Sequence, residues 1–472
     1  MFKIPENYKI LLAPVYASAK KRRVKLYLVG GILRDLVLGR KKENLDFDFA
    51  VKKGAISFGR ALSKEMRAGF VVLDEERGAC RVVKKTKDGF YTLDFTDFRG
   101  KTIEEDLKHR DFTINTLVFD PATQELLDLN GAREDLKNKI IRIPAKFVFS
   151  EDPLRVMRAF SFSALLGFKI DKDTLRAAKL QKRKLLGVSG ERIRDELFKV
   201  FASNKAYECL VELDKLKILE ILFPEIKKMR GIGQGPYHHL DVWQHTLETL
   251  KQLELVLKNN RNKDIKSFLG ELISGERKRE ALLKYAAFLH DVGKPATLRH
   301  IDGRTTFHAH ERVGLRLADN ISRRLKLSNE EIYAVKTIVL WHLRPGYLSD
   351  NAILTARAKF RFYRDSGKET ISILLLSLAD QRATKGPLTT AQGRIRHEKT
   401  VARLIRDYYR KQKENKQERL VNGDDIIREF KLSPSPLVGK VLSELEELQA
   451  IGKVKTKSEA LKAAARFIRN KK

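Results

Sequence analysis

With 472 residues the chain is too long for one hydrophobic core and long enough for two to four compact units. Its 42% apolar residues exclude a disordered polymer, while 95 Lys+Arg against 61 Asp+Glu leave a formal net charge of +34. A balanced, ion-paired surface does not give such a surplus; it predicts a polyanionic partner, nucleic acid above all, because neutralised phosphates release condensed counterions.

In chain order, the N-terminal MFKIPENYKI lacks the apolar core of a secretion signal, and no apolar run approaches a membrane span. Residues 24–29 read as a strand, halted by Gly30-Gly31 and followed by a helix through Leu38. Residues 46–51 (DFDFAV) alternate with period two, so Asp46 and Asp48 leave one strand face. Further strands are expected at 70–73, 81–84 and 91–95, and from Asp152 onward helical periodicity runs nearly throughout. Cys80 and Cys209 stand far apart and offer neither a CxxC pair nor a disulfide framework. Residues 410–419 (RKQKENKQER) form a charge run that reads as a solvated helix or linker. The expectation is a soluble, cytoplasmic α+β protein with no membrane association and no feature demanding a stable protein partner. An α/β head is followed by a helical neck, body and tail, with divisions at 1–140, 141–215, 216–400 and 401–472.

Two features of the head carry chemistry. Gly30-Gly31 between a strand and a helix lets backbone come close to a ligand, with helix N–H groups facing phosphate oxygens and Arg34 one turn further on. Asp46 and Asp48 on one face repel each other, a penalty that a divalent cation removes; carboxylate and phosphate oxygens together suit Mg²⁺. Such ions clamp the attacking and leaving oxygens of an in-line phosphoryl displacement. Taken alone, a DxD reads first as a solvent-facing acidic pair on an edge strand.

The third element, EDLKHRDFTIN at 105–115, decides between these readings. With the glycine turn, the DxD, DLNG at 128–131, EDPLRVMRA at 151–159 and ERIRDEL at 191–197, in this order, the chain resembles the class II tRNA nucleotidyltransferase and bacterial poly(A) polymerase family. The resemblance implies that Asp46 and Asp48 hold the metal, with Asp94 as a third catalytic carboxylate. It implies that Gly30, Gly31, Arg34 and Arg110 contact the triphosphate. Asp152 and Arg155 would read the base in place of a nucleic-acid template, and Arg158 would add a nucleotide contact. The implied partners are tRNA, CTP and ATP. Ser161 and His109 stand where the family usually has Arg, and residues 99–104 run almost directly into the EDL motif, where many members carry a flexible loop. A missing loop resembles the CC-adding branch; full CCA addition is the alternative, and a bacterial poly(A) polymerase is the rival that shares the head motifs.

The body holds a second set. FLHDVGKP at 288–295 resembles the signature of HD-type metal phosphohydrolases, and DVWQHT at 241–246 the helix supplying their first ligand. The resemblance implies a site of His245, His290, Asp291, His310, His342 and Asp380. Imidazoles beside carboxylates suit a divalent transition metal and an activated water more than Mg²⁺. Hydrolysis of 2′,3′-cyclic phosphates or phosphate monoesters at RNA ends is then the expected reaction, and an RNA-end phosphohydrolase is the alternative from another class. From Leu420 onward, Leu432, Val438, Val441, Leu442, Leu445 and Leu448 stripe a helical tail expected to grip tRNA through its phosphates.

Overall fold

Alternation in the segment 45–51 decides how the first part of the chain is built. In β2 (Leu45–Val51), Phe47, Phe49 and Val51 are buried while Asp46 and Asp48 face outward. Each buried phenyl contributes roughly 2–3 kcal/mol. The apolar face packs on helices: Phe47 meets Tyr8 of α1 (Glu6–Arg22) edge-on at 5.4 Å. Phe49 stacks on Phe95 at 5.0 Å, and Phe95 in turn meets Phe58 of α3 (Ala55–Met66). The computed structural model that shows this describes residues 3–40, 45–86, 89–351, 353–413 and 419–470. The chain divides into two compact units, 1–200 with 212–222, and 201–211 with 223–472.

The first unit contains a seven-stranded sheet in the order β3-β4-β5-β2-β1-β6-β7. The strands are β1 (Leu26–Val29), β2, β3 (Gly69–Asp74), β4 (Ala79–Thr86), β5 (Gly89–Asp97), β6 (Leu117–Asp120) and β7 (Glu125–Asp128). Within this sheet, among the described residues, β2 and β5 form the one parallel pair, and α3 crosses over toward that half of the sheet. The expected strands and the helix after the glycine turn, α2 (Gly31–Val37), are present; α1 and the hairpin β6–β7 were not anticipated. Gly59 of α3 lies against β4, where a Cβ would stand 2.5 Å from Cys80 Sγ. Both cysteines are free and buried, and burial pushes the Cys80 thiol up to about 12, so it is inert.

Beyond the head the described residues are mainly helical, interrupted by three two-stranded ladders whose strands of two or three residues are too short to show a period. In the second unit Phe201, Phe223, Trp243, Tyr285 and Phe288 interlock in edge-on pairs. The tail packs three helices around Val438, Val441, Leu445, Ala460 and Ala464, with Leu432, Leu442 and Leu448 half-buried against them, as the apolar stripe predicts. Of the charge run, the part through Lys413 ends a long helix, while residues 414–418 lie outside the described residues. Among the described residues no helix is long and apolar enough to cross a membrane.

Candidate active site and metal centre

Register in the head sheet brings the carboxylates together. Val29 pairs with Asp48 across β1–β2, while β2–β5 aligns Asp46 with Thr92 and Asp48 with Asp94. Three acids therefore share one face of two neighbouring strands. Thr92 Oγ1 donates to Asp46 Oδ1 at 2.5 Å. Asp94 accepts a forked pair from Arg81 of β4, at 2.8 and 2.7 Å, and Arg81 is thereby held more firmly protonated. Arg81 escaped the sequence reading, since only the register Arg81↔Asp94 reveals it. Gly30 has φ +82° and ψ −153°, and a Cβ there would lie 2.6 Å from Asp48 Oδ2. Glycine is required both by the backbone and by the carboxylate.

Arg34 lies inward. Its guanidinium is buried behind Gly31, donates to Asp35 at 2.9 and 3.0 Å and to Asn115 at 2.9 Å, and rests on the Phe162 ring. Asn115 in turn donates to Asp111 at 2.9 Å, and Asp111 takes two bonds from Arg158 at 2.6 and 3.1 Å. Arg158 stands 3.7 Å from Glu196, which accepts from Lys199 and from Ser161. One buried polar chain thus ties the glycine turn, the RDFTIN segment, the helix Leu154–Leu166 and the helix Gly190–Ala202. Ser161 spends its hydroxyl on that chain.

A cavity of about 320 Å³ collects Arg110, Asp152, Arg155 and Arg158 with Thr96, Arg99, His109 and Arg192. Thr96 follows Asp94 by two residues on β5, so the cavity adjoins the carboxylate face. Arg110 Nε is buried with no hydrogen-bond partner. Asp152 pairs with Arg192 at 2.8 Å, a contact not evident from the sequence although Arg192 lies in ERIRDEL. Arg155 donates to the Val148 carbonyl and stands 3.5 Å from Glu151, and burial lowers its pKa. His109 also turns to Glu151, at 2.6 Å. A larger space of about 730 Å³ beside α1 and α3 contains none of the motif residues, so volume alone does not mark the site.

The second unit gathers its six predicted residues around Asp291. His310 Nε2 lies 3.3 Å and His342 Nε2 3.8 Å from Oδ1; His290 Nε2 lies 3.1 Å and His245 Nε2 3.7 Å from Oδ2. Asp380 contacts His245 at 2.8 Å. Three imidazoles are aimed in one way: Nδ1 of His290, His310 and His342 meets the carbonyl of the residue three positions earlier, at 2.8, 2.9 and 2.7 Å. A carbonyl only accepts, so Nδ1 carries a proton, and in the neutral ring Nε2 presents its lone pair. The three Nε2 atoms and Asp291 Oδ1 are buried without aligned hydrogen-bond partners, despite the short distances. Burial pushes His342 down to about 3, keeping it neutral, whereas Asp291 overcomes its burial through His290 and Lys294 and is held well below the ordinary carboxylate range. Imidazoles converging on a buried carboxylate fit a cation, and two overlapping groups, His245–His290–Asp291 and Asp291–His310–His342, share Asp291. Lys294 bonds Asp291 at 2.7 Å and Gln234 at 2.6 Å, and His238 packs edge-on to His245 at 4.8 Å; sequence reasoning assigned neither Gln234 nor His238. Gly293 permits the packing: a Cβ would stand 2.2 Å from the His310 carbonyl oxygen.

A carboxylate-bearing mixed sheet with an adjoining arginine cavity, and a histidine–aspartate centre among helices, define a nucleotidyltransferase head and an HD domain. Residues 26–142 match the Poly A polymerase head domain, 167–229 the probable RNA and SrmB-binding site of polymerase A, and 242–385 the HD domain. The A-adding tRNA nucleotidyltransferase of Deinococcus radiodurans is 33% identical over 92% of this chain and 93% of its own length. The CC-adding tRNA nucleotidyltransferase of Thermus thermophilus is 29% identical, over 92% and 91%. The Thermotoga maritima CCA-adding enzyme solved in complex with tRNA shares the fold at a TM-score of 0.65 and 21% identity, over 98% of this chain and 96% of that one. The chain belongs to the CCA-adding family of tRNA nucleotidyltransferases and is an enzyme.

Proposed function

We propose that the protein adds two cytidines to the 3′ end of tRNA, transferring CMP from CTP and releasing pyrophosphate. The supporting observation is the connection between β5 and the helix Ile103–Lys108. Residues 98–102 are all that separate them, and they are pinned: Arg99 N–H donates to Asp106, Lys101 N–H to Glu105, and Thr102 caps the helix. Adding A after C asks one pocket to re-aim at a larger base, which needs an element free to move with the growing end. A pinned connection offers none, so ATP should be a poor substrate. The Deinococcus relative is named A-adding and the Thermus relative CC-adding, so the tRNA end is common to both names and the nucleotide differs. Purified protein given tRNA lacking its CCA end, with CTP and ATP together, is expected to yield a product two nucleotides longer. Efficient addition of a terminal A overturns the CC-adding reading and leaves the family intact.

In this reading Asp46 and Asp48, with Asp94, hold Mg²⁺, which when bound supplies charge neutralisation at the reacting phosphate. Gly30 and Gly31 bring backbone to the triphosphate and Arg110 supplies charge, while Arg34, bonded to Asp35 and Asn115, braces the glycine turn from behind. Asp152 and Arg155 read the cytosine edge, the acid accepting from the exocyclic amine and the guanidinium donating to ring acceptors, and Arg158 adds a nucleotide contact. The 3′ oxygen displaces pyrophosphate at the α-phosphorus. In the second unit His245, His290, Asp291, His310, His342 and Asp380 hold a transition metal for hydrolysis of phosphate monoesters or cyclic phosphates at RNA ends. The divisions at 140, 215 and 400 assign these tasks to head, neck, body and tail.

A further inference from the structure

The helix Ala391–Lys413 carries a pattern that neither site uses. Arg396, Lys399, Arg403, Arg406, Arg410 and Lys413 are all exposed and follow one another at intervals of three and four residues. At 100° per residue they fall within an arc of about 100°. His397, Val401 and Leu404 are buried on the opposite side of the helix. Neither acid of this helix lies in the basic arc: Glu398 pairs with Arg382, and Asp407 accepts from Lys359 at 2.7 Å. Arg396 and Arg410 also contact Asp350 at 3.6 Å and Asp407 at 3.4 Å, but their side chains are 57% and 66% exposed. Such ion pairs contribute little and yield readily to a phosphate. From Arg396 to Lys413 the row extends about 26 Å.

Its N-terminal end arrives somewhere specific. Arg394 and Arg396 line a cavity of about 520 Å³ whose wall also contains His342 and Asp380 of the histidine–aspartate centre. We propose that this helix is a track for the phosphate backbone of RNA, leading an RNA end to the mouth of that cavity. The inference rests on the reading of the chain as an enzyme acting on tRNA, and adds a surface that the nucleotidyl-transfer site does not require. A row of evenly spaced cations matches the regular charges of a polynucleotide. A lipid surface would call for large apolar side chains beside them, and this arc offers only the exposed Ile395.

The test uses the full chain carrying Lys399→Glu, Arg403→Glu and Arg406→Glu together, with the triple alanine variant as a milder companion. Binding of a fluorescent tRNA transcript is measured from low to moderate salt, beside melting temperature, bound metal and CMP addition. The charge-reversal variant is expected to bind at least roughly tenfold more weakly, with a salt slope shallower by about 2, as three lost phosphate contacts require. The alanine variant should shift the same way by less, both with melting temperature and metal unchanged. Unchanged affinity and slope in both variants overturn the proposal. So does weakened binding to phosphatidylserine vesicles with tRNA binding intact, which would assign the arc to a membrane. If the wild type adds no CMP yet the variants lose tRNA affinity, the track stands and the nucleotidyl-transfer reading falls. If the wild type adds CMP and the variants bind tRNA normally, the track alone falls.

Discussion

Asp111 shows what single residues do here. Its carboxylate is buried, accepts from Phe112 N–H and Asn115 Nδ2, and receives two bonds from Arg158. Burial opposes its charge, but Arg158 and these donors outweigh that and hold its pKa below the ordinary value. The stability it contributes is therefore complete above the unfolded value of about 3.9 and is lost as pH falls through the lower folded value. Asp111→Asn should cost about 2–3 kcal/mol at pH 7, because Arg158 loses its main partner. Urea unfolding between pH 7 and pH 3 should also show a shallower acid limb in the variant; an identical limb would mean that Asp111 is not the linked group. Asp111 lies in the RDFTIN motif together with its donors Phe112 and Asn115, but Arg158 comes from another segment, and that pairing was not legible in the sequence.

At the scale of elements, period two and glycine spacing carry most of the information. The alternation at 46–51 correctly placed both aspartates on one face, since each phenylalanine between them has a core to fill. The glycine turn was equally legible, but its reason was not: Gly30 exists for Asp48 as well as for any ligand. Gly30→Ala is expected to cost about 1–3 kcal/mol from backbone strain, and to push the Asp48 carboxylate aside. Melting temperature and CMP addition should both fall; a variant with wild-type melting and rate would show that the turn relaxes freely. Pairings between strands stayed hidden, as with Arg81 and Asp94, because register is set by partners far away in sequence. The hairpin β6–β7, with four residues per strand, was too short to announce itself.

At the scale of the whole molecule, charge and motif order foretold a tRNA nucleotidyltransferase that also carries an HD domain. The residues of the histidine–aspartate cluster were legible through their motifs, and His290, His310 and His342 sit at helix ends, where each imidazole meets a carbonyl three residues back. Gln234 and His238 were not, since they lie in a loop without periodicity. His290→Ala with His342→Ala spares the Asp291–Lys294 pair, so the fold should persist. Elemental analysis should then show transition metal falling from stoichiometric to background while CMP addition is kept; full metal retention would place its ligands elsewhere. The central claim is that Asp46 and Asp48 carry nucleotidyl transfer to tRNA. It is tested by the single-turnover rate of CMP incorporation into tRNA lacking its CCA end, for wild type, Asp46→Ala and Asp48→Ala, with tRNA affinity and melting temperature followed in parallel. The account predicts that each variant binds tRNA and melts as the wild type does but incorporates CMP at less than about a tenth of its rate; a variant above that tenth would contradict it.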